Sequence, residues 1–222
     1  MPIPKKYLAH LEPGKIYHIF NRTNNRERLF LNNSTRSFFL NRWKKFTFHL
    51  VDPFCWCLLP NHFHFLIRIK TAQAIEKNLQ LFPKWQVTQT ERKFLKGLIP
   101  AEIVVERAFK RFFQSYALSI NKHYNRKGNL FTRSFKRNMI TGNLQFKKVV
   151  AYIHTNPIKH GITENMNQYR WCSWNHDYRA SNPSSLLTEV FDMFGGKLNC
   201  FNYHQQFCEQ LLSNRVTDMS LA

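Results

Sequence analysis

The sequence has few acidic residues for its length. Its 222 residues include 13 Asp and Glu against 33 Lys and Arg, which gives a formal net charge of +20. An excess of this size, spread along the chain, favours a polyanionic partner. Aromatic residues make up 15% of the chain and include 21 Phe, so material for an apolar core accompanies the charge. The combination predicts a folded nucleic-acid-binding protein rather than a disordered basic arm.

Paired cysteine motifs and long apolar runs are also missing. The five cysteines are odd in number and have no C-x-x-C spacing, which argues against a disulfide framework and against a zinc ribbon. The first residues carry no apolar segment typical of a secretory signal, and no run approaches the roughly 20 apolar residues that span a bilayer. We therefore expect a protein of the reducing cytoplasm, with no membrane partner.

Hydrophobic periodicity predicts the element order β, α, β, β, α, β, α over the first three quarters of the chain. This order is that of an α+β fold of the ferredoxin-like, split βαβ type: an antiparallel sheet with helices on one face. The additional last helix is predicted from about residue 144 to Asn156 and is ended by Pro157, because a proline pushes the preceding residue out of the α region.

Two stretches are less regular. Residues 71–100 are predicted to be an insertion of unknown shape, and beyond Gly161 we expect short helices or loops at best. The predicted organisation is one domain over residues 1–175 and a C-terminal extension of unknown role over residues 176–222.

Two histidines stand on the predicted strand that follows a Pro-Asn turn. His62 and His64 alternate with Phe63 and Phe65, so the two imidazoles fall on one face of the strand, about 6.5–7 Å apart. Imidazoles in that arrangement can converge on one metal ion. The alternative is that both are ordinary half-buried sheet residues.

A second group of polar residues lies on the last predicted helix. Lys148, Tyr152 and Asn156 follow one another at intervals of four residues, so they share one face of the helix. A phenol can supply a nucleophile, an amide oxygen a metal ligand, and an ammonium group a contact for phosphate. The group therefore suggests phosphoryl transfer, although Tyr152 can also be a core residue and Asn156 a helix C-terminal residue.

The motif His62-Phe63-His64 resembles the histidine-hydrophobic-histidine (HUH) motif of single-strand nucleases that use one tyrosine. The surrounding stretch 59–67 resembles the REP-associated tyrosine transposase branch of that superfamily, within the IS200-like transposases. Blocks at 124–131, 152–161 and 169–173 follow in the order found in the family.

The resemblance implies roles for particular residues. His62, His64 and Asn156 would hold a divalent cation, Mn²⁺ or Mg²⁺, and Tyr152 would be the catalytic nucleophile. The implied activity is cleavage and strand transfer of single-stranded DNA near hairpins through a 5′-phosphotyrosine intermediate, in DNA transposition or repeat-element mobilisation. The working form would be a monomer or a homodimer.

DNA contacts are predicted from the basic residues and from one tryptophan. Lys148 can contact phosphate, and a basic run after the long helix can form a DNA track. Trp171 can stack on a base or pack the tail onto the domain. The predicted DNA-binding residues are Lys148, Arg126, Lys127, Arg133, Lys136, Arg137 and Trp171.

Two other functions remain open at this stage. The chain can be a DNA- or RNA-hairpin-binding module without turnover, or a phosphodiesterase that uses water at the same metal site. Tyr116 and Tyr124 are rival nucleophiles, but both fall in the apolar stripe of the long helix, which favours a place in the core.

Overall fold

The computed structural model of the protein describes residues 9–132 and 135–220, with side chains for 9–25, 27–132 and 135–213. The strands are β1 (Ile16–Arg22), β2 (Val51–Leu59), β3 (His62–Ile69) and β4 (Lys136–Ile140). The α-helices are α1 (Asn33–Thr47), α2 (Ala72–Gln80), α3 (Gln89–Leu95), α4 (Ala101–His123), α5 (Asn143–Lys159), α6 (Ser185–Phe194) and α7 (Lys197–Ser220). Short 3₁₀ turns cover Asn24–Arg26 and Met166–Gln168, and a one-turn π-helix covers Trp174–Tyr178.

The four strands form one antiparallel sheet in the order β2-β3-β1-β4. The N–H of Gly14, just before β1, donates to the carbonyl of Ile69 at the end of β3 (2.8 Å). The N–H of Thr23, just after β1, donates to the carbonyl of Asn61 at the start of β3 (3.0 Å), so these strands run in opposite directions. The strand order confirms the predicted ferredoxin-like plan.

The chain divides into two compact units. Unit 1 comprises Met1–Asp52, Pro60–His62 and Ile67–Met139, and unit 2 comprises Pro53–Leu59, Phe63–Leu66 and Ile140–Ala222. Strands β2 and β3 contribute residues to both units. The units also run across the predicted boundary at residue 175, since unit 2 takes residues on both sides of it.

Unit 1 has a core of aromatic rings between α1 and α4. Phe39 lies 5.1 Å from Phe112 and Trp43 lies 5.4 Å from Phe109, measured between ring centroids. Edge-to-face pairs of this kind add to the free energy gained by burying the rings. In unit 2, Phe54 of β2 meets Phe146 of α5 at 5.2 Å, also edge to face.

The two stretches that the sequence left undefined contain helices. The predicted insertion of unknown shape holds two helices, α2 and α3. The expectation of only short helices or loops beyond Gly161 is wrong, because α7 is 24 residues long. No helix within the described residues has the length and hydropathy needed to cross a bilayer.

Candidate functional site

The two predicted metal ligands both lie on β3. His62 opens the strand, and its Nδ1 lies 2.6 Å from Oδ1 of Asn61. An amide oxygen only accepts hydrogen bonds, so Nδ1 of His62 carries the proton and the lone pair of the neutral ring is on Nε2. His64 is buried, and as the residue two positions further along it occupies the same face of the strand.

Tyr152 of α5 lies against His64 within unit 2. The two ring centroids are 5.6 Å apart, and the planes are inclined by 83°, so the rings meet edge to face. The ammonium nitrogen of Lys159 lies 4.9 Å from the centroid of the Tyr152 ring. The structure thus brings the predicted nucleophile to one of the predicted metal ligands, with a positive charge beside it.

Asn156 lies one turn after Tyr152 and is fully buried. Its Nδ2 donates to the main-chain carbonyl of Tyr152 (2.8 Å). Its Oδ1 is also buried and accepts no hydrogen bond from any described residue. Buried polar atoms almost always have partners, so an amide oxygen in this position has the properties of a cation ligand.

The electrostatic surroundings of the Tyr152 phenol have two opposing effects on its pKa. Partial burial raises the pKa of Tyr152, because the charged phenolate is less well solvated than the phenol. A hydrogen bond donated by the amide group of Asn156 acts in the other direction, because it stabilises the phenolate. The net shift is upward, so the phenol of the resting protein carries its proton at neutral pH.

A metal ion would have few anionic ligands here. No cluster of three or more His, Cys, Asp or Glu side chains suited to a metal occurs in the described part of the chain. The predicted set has two imidazoles and one carboxamide instead. These nitrogen and oxygen donors are compatible with Mn²⁺ or Mg²⁺ when water fills the other positions.

Helix α5 runs further than the sequence predicted. Pro157 does not end it: the proline lies inside the helix, which continues to Lys159. The end is made by Gly161 at φ +66°, with the N–H of Ile162 donating to the carbonyl of Pro157 (2.9 Å). This is a Schellman motif, and it leaves Tyr152 and Asn156 within regular helix.

A buried chain of hydrogen bonds fixes the other side of α5. The Cys200 carbonyl can only accept, so Nδ1 of His204 donates to it (2.7 Å), and Nδ1 of His154 donates to Nε2 of His204 (2.9 Å). Ser173 then donates to Nε2 of His154 (2.9 Å) and accepts from the N–H of Trp56 (2.9 Å). The proton positions on both histidines follow from the Cys200 carbonyl at one end of this series of hydrogen bonds. The Ser173 hydroxyl also lies 3.2 Å from the Trp56 carbonyl, and its single proton goes to His154 because Nε2 of that ring has a lone pair.

Burial keeps both histidines of this chain neutral. It lowers the pKa of His204 to about 4, and the hydrogen bond to the Cys200 carbonyl opposes this only in part. Burial and the neighbouring His204 lower the pKa of His154 well below its ordinary range. Sequence reasoning missed this group, since His204 lies in the tail and no spacing connects it to His154.

The predicted DNA-binding residues differ in their exposure to solvent. Lys148 and Lys127 are exposed, whereas the Arg126 guanidinium forms an ion pair with Glu27. Lys136 lies 5.7 Å from the ring of Phe20. Arg133 falls outside the described residues.

Arg137 is half-buried and Trp171 is buried. The Arg137 guanidinium donates to Glu106 (3.1 Å) and to the carbonyl of Ala9. Partial burial lowers the pKa of Arg137 from its ordinary value. Trp171 is 8% exposed, and its carbonyl accepts from the N–H of Leu58 (2.9 Å). Of the two roles that the sequence allowed for Trp171, packing describes its position.

The rival nucleophiles are placed differently. Tyr116 is fully buried among the rings of unit 1, which confirms its place in the core, and burial raises its pKa. Tyr124 is the half-buried residue that follows α4, beside His123, so the prediction of a core position is wrong for it: at the C-cap it has left the apolar stripe of the helix. Neither tyrosine belongs to unit 2.

Comparison with known proteins gives a general likeness. No protein-family model matches the chain, and no curated protein matches it by sequence. A solved structure described as a REP-associated tyrosine transposase bound to a REP hairpin superposes with a TM-score of 0.49 at 15% sequence identity. The superposition covers 79% of this chain and 86% of that one.

Proposed function

We propose that the protein is a metal-dependent single-stranded DNA endonuclease and strand transferase that cleaves near hairpins. Tyr152 is the nucleophile, and His62, His64 and Asn156 hold the divalent cation. The observation that carries the proposal is the contact between the rings of Tyr152 and His64, with the buried Asn156 amide one turn further along α5.

The proposed reaction exchanges one phosphate ester for another. The phenol oxygen of Tyr152 attacks the phosphorus, a 5′-phosphotyrosine bond forms, and the bond from phosphorus to the 3′ oxygen breaks. The phenol loses its proton and the departing 3′ oxygen gains one, so the products are the covalent adduct and a free 3′-hydroxyl. Because the ester is conserved, that hydroxyl can reverse the step and rejoin the DNA.

The residues around Tyr152 have separate proposed roles. Asn156 holds the backbone of Tyr152 through its Nδ2 and presents its Oδ1 as a ligand. The exposed Lys148, one turn before Tyr152, and Lys159, beside its ring, supply positive charge for the phosphate. The bound cation would polarise a non-bridging phosphate oxygen and offset the negative charge that develops there.

Mn²⁺ or Mg²⁺ is the proposed cofactor, and the same imidazole and amide donors also suit Zn²⁺ and Co²⁺. These neutral ligands leave the cation with its full charge, which is useful when the substrate is a phosphodiester. The partner is single-stranded or hairpin DNA in the cytoplasm, in keeping with the formal net charge of +20. Transposition or mobilisation of a repeat element is the proposed context.

The test uses an end-labelled hairpin oligonucleotide with single-stranded flanks, incubated with the protein and Mn²⁺. We expect a covalent protein–DNA adduct that survives denaturing electrophoresis. Tyr152→Phe abolishes the adduct, whereas Tyr124→Phe, the matched control at a half-buried tyrosine just after α4, retains it.

Three results contradict the proposal in different ways. An adduct that persists in Tyr152→Phe removes the nucleophile. Cleaved DNA without any adduct identifies a phosphodiesterase that uses water. Binding to hairpins without cleavage identifies a binding module.

A further inference from the structure

Three large apolar side chains are exposed in the segment 81–98, which includes α3. Leu81 is 75%, Trp85 79% and Leu98 67% exposed. An indole ring buries a large area when it finds a partner, so a tryptophan displayed to this extent marks a binding surface more often than an isolated leucine does.

The backbone around Trp85 is held by hydrogen bonds. Nε of Arg92 donates to the carbonyl of Val87 (3.1 Å), and its terminal nitrogen donates to the carbonyl of Lys84 (2.9 Å). The N–H of Gln86 donates to the carbonyl of Pro83 (2.8 Å). Arg92 of α3 thus holds the backbone before and after Trp85, in a turn that leaves the indole exposed to solvent.

Buried contacts anchor this segment within unit 1. Glu91 of α3 pairs with His49 (3.3 Å) and Arg111 (3.6 Å), and the ring of Phe82 lies 5.2 Å from that of His49. The display of Trp85 is therefore built into the fold of the unit.

Positive charge surrounds the exposed ring. Lys84, Arg92 and Lys96 are exposed and line, with Trp85, a cleft of about 420 Å³ whose apolar wall comes from Val87 and Leu95. The only carboxylate in residues 81–98 is Glu91, which is buried in its ion pairs. The surface thus combines an aromatic face with cations that no exposed acid of the segment offsets.

We infer that the 81–98 segment binds unpaired nucleotides of the DNA substrate, with a base stacked on Trp85 and the adjoining phosphates contacted by Lys84, Arg92 and Lys96. The inference rests on the proposed function, which makes DNA the substrate. Stacking on an aromatic ring tolerates any base, and the cations follow the backbone, so this site adds affinity for single strands without reading their sequence.

The test compares two labelled hairpins in EDTA, where the proposed cleavage does not proceed. One carries an unpaired extension of about eight nucleotides, a length in the range of known single-strand sites, and the other is blunt. We expect Trp85→Ala to weaken binding of the extended hairpin about 5- to 150-fold, with little effect on the blunt one. Trp85→Phe retains most of the affinity.

Two controls separate stacking from general effects. Leu118→Ala removes another exposed apolar side chain, on α4, and leaves both affinities unchanged. The fluorescence of a 2-aminopurine in the extension is quenched when wild type binds, and Trp85→Ala loses that quenching.

The phosphate contacts are tested by salt dependence. Lys84→Gln and Lys96→Gln each reduce the slope of log K against log salt by about 0.7 for the single strand.

The inference fails if Trp85→Ala binds the extended hairpin as wild type does. It also fails if that variant abolishes self-association while DNA binding is unchanged, because the surface then joins copies of the chain. These failures leave the proposed function intact as long as the Tyr152 adduct forms. If wild type binds neither hairpin and forms no adduct, the proposed function falls as well.

Discussion

Asn156 makes a sharper prediction than the histidines, because its side chain has a buried oxygen without a hydrogen-bond donor among the described residues. Removing a metal ligand should weaken cation binding by at least the 10- to 100-fold typical of lost outer-sphere partners. We expect Asn156→Ala to require at least about tenfold more Mn²⁺ for half-saturation, measured by paramagnetic resonance of the free ion.

Asn156→Asp is the matched variant, because it keeps the shape and adds a negative charge. We expect it to bind Mn²⁺ more tightly than wild type. Equal Mn²⁺ affinities for wild type, Asn156→Ala and Asn156→Asp would exclude a ligand role for this residue.

The pKa of Glu91 predicts how the free energy of unfolding of unit 1 depends on pH in the acid range. Burial alone would raise the pKa of Glu91, but hydrogen bonds from His49 and Thr88 outweigh it and lower the pKa from 4.5 to about 2. The carboxylate therefore contributes stability that is fully present above about pH 4.5 and is lost as the pH falls through about 2. Its contribution should fall by about 2 kcal/mol between pH 6 and pH 3.

The measurement is urea unfolding of wild type and Glu91→Gln at the two pH values. The variant should lack that component of the pH dependence, and Glu76→Gln, at an exposed carboxylate of α2, should behave as wild type. Parallel loss of stability with pH in wild type and Glu91→Gln would contradict the assigned ion pairs.

At the scale of elements, the buried chain of hydrogen bonds ties α5 to α7 and to β2. Ser173→Ala removes the donor to Nε2 of His154 and the acceptor for the N–H of Trp56. Leaving buried groups unpaired costs about 1–3 kcal/mol each, so we expect the free energy of unfolding to fall by at least about 1 kcal/mol.

Denaturant titration checks this loss, with Ser213→Ala as the control. Ser213 is an exposed serine of α7, and its replacement should change stability by less than about 0.5 kcal/mol. If Ser173→Ala and Ser213→Ala unfold at the same denaturant concentration, the buried chain of hydrogen bonds contributes no net stability.

The course of α5 shows what sequence rules can and cannot predict. The register of Tyr152 and Asn156 on one helix face followed from their spacing, and the structure confirms it. The end of the helix did not follow from Pro157, which lies in the last turns, where its missing N–H removes one hydrogen bond. The helix ends instead at Gly161, whose positive φ closes the Schellman motif.

The C-terminal residues after 161 include one feature that the sequence could predict and one that it could not. Leu187, Val190, Phe191 and Phe194 have the i, i+3, i+4, i+7 spacing of an amphipathic helix and are all buried, so α6 was predictable. The partnership of His204 with His154 was not, because nothing in a local pattern relates residues 50 positions apart.

At the scale of the whole molecule, the strand order could be predicted because the element sequence admits few topologies. The division into two units could not, since it assigns neighbouring residues of β2 and β3 to different units. The role of 1–175 as a single transposase-like domain stays a prediction.

The contact between His64 and Tyr152 lies within one chain, which predicts that a single chain carries a complete site. We therefore expect that mixing His64→Ala with Tyr152→Phe yields no covalent adduct at any ratio. Recovery of part of the adduct in the mixture would show that helix α5 is exchanged between two chains.

The most direct measurement of the central claim is the position of the covalent bond. After reaction with a hairpin oligonucleotide and Mn²⁺, nuclease trimming and trypsin digestion should yield the peptide 149–159, in which Tyr152 is the only tyrosine. Mass spectrometry should find the nucleotide remnant on that peptide. A remnant on a peptide carrying any other tyrosine, or cleaved DNA with no modified peptide, would contradict the account.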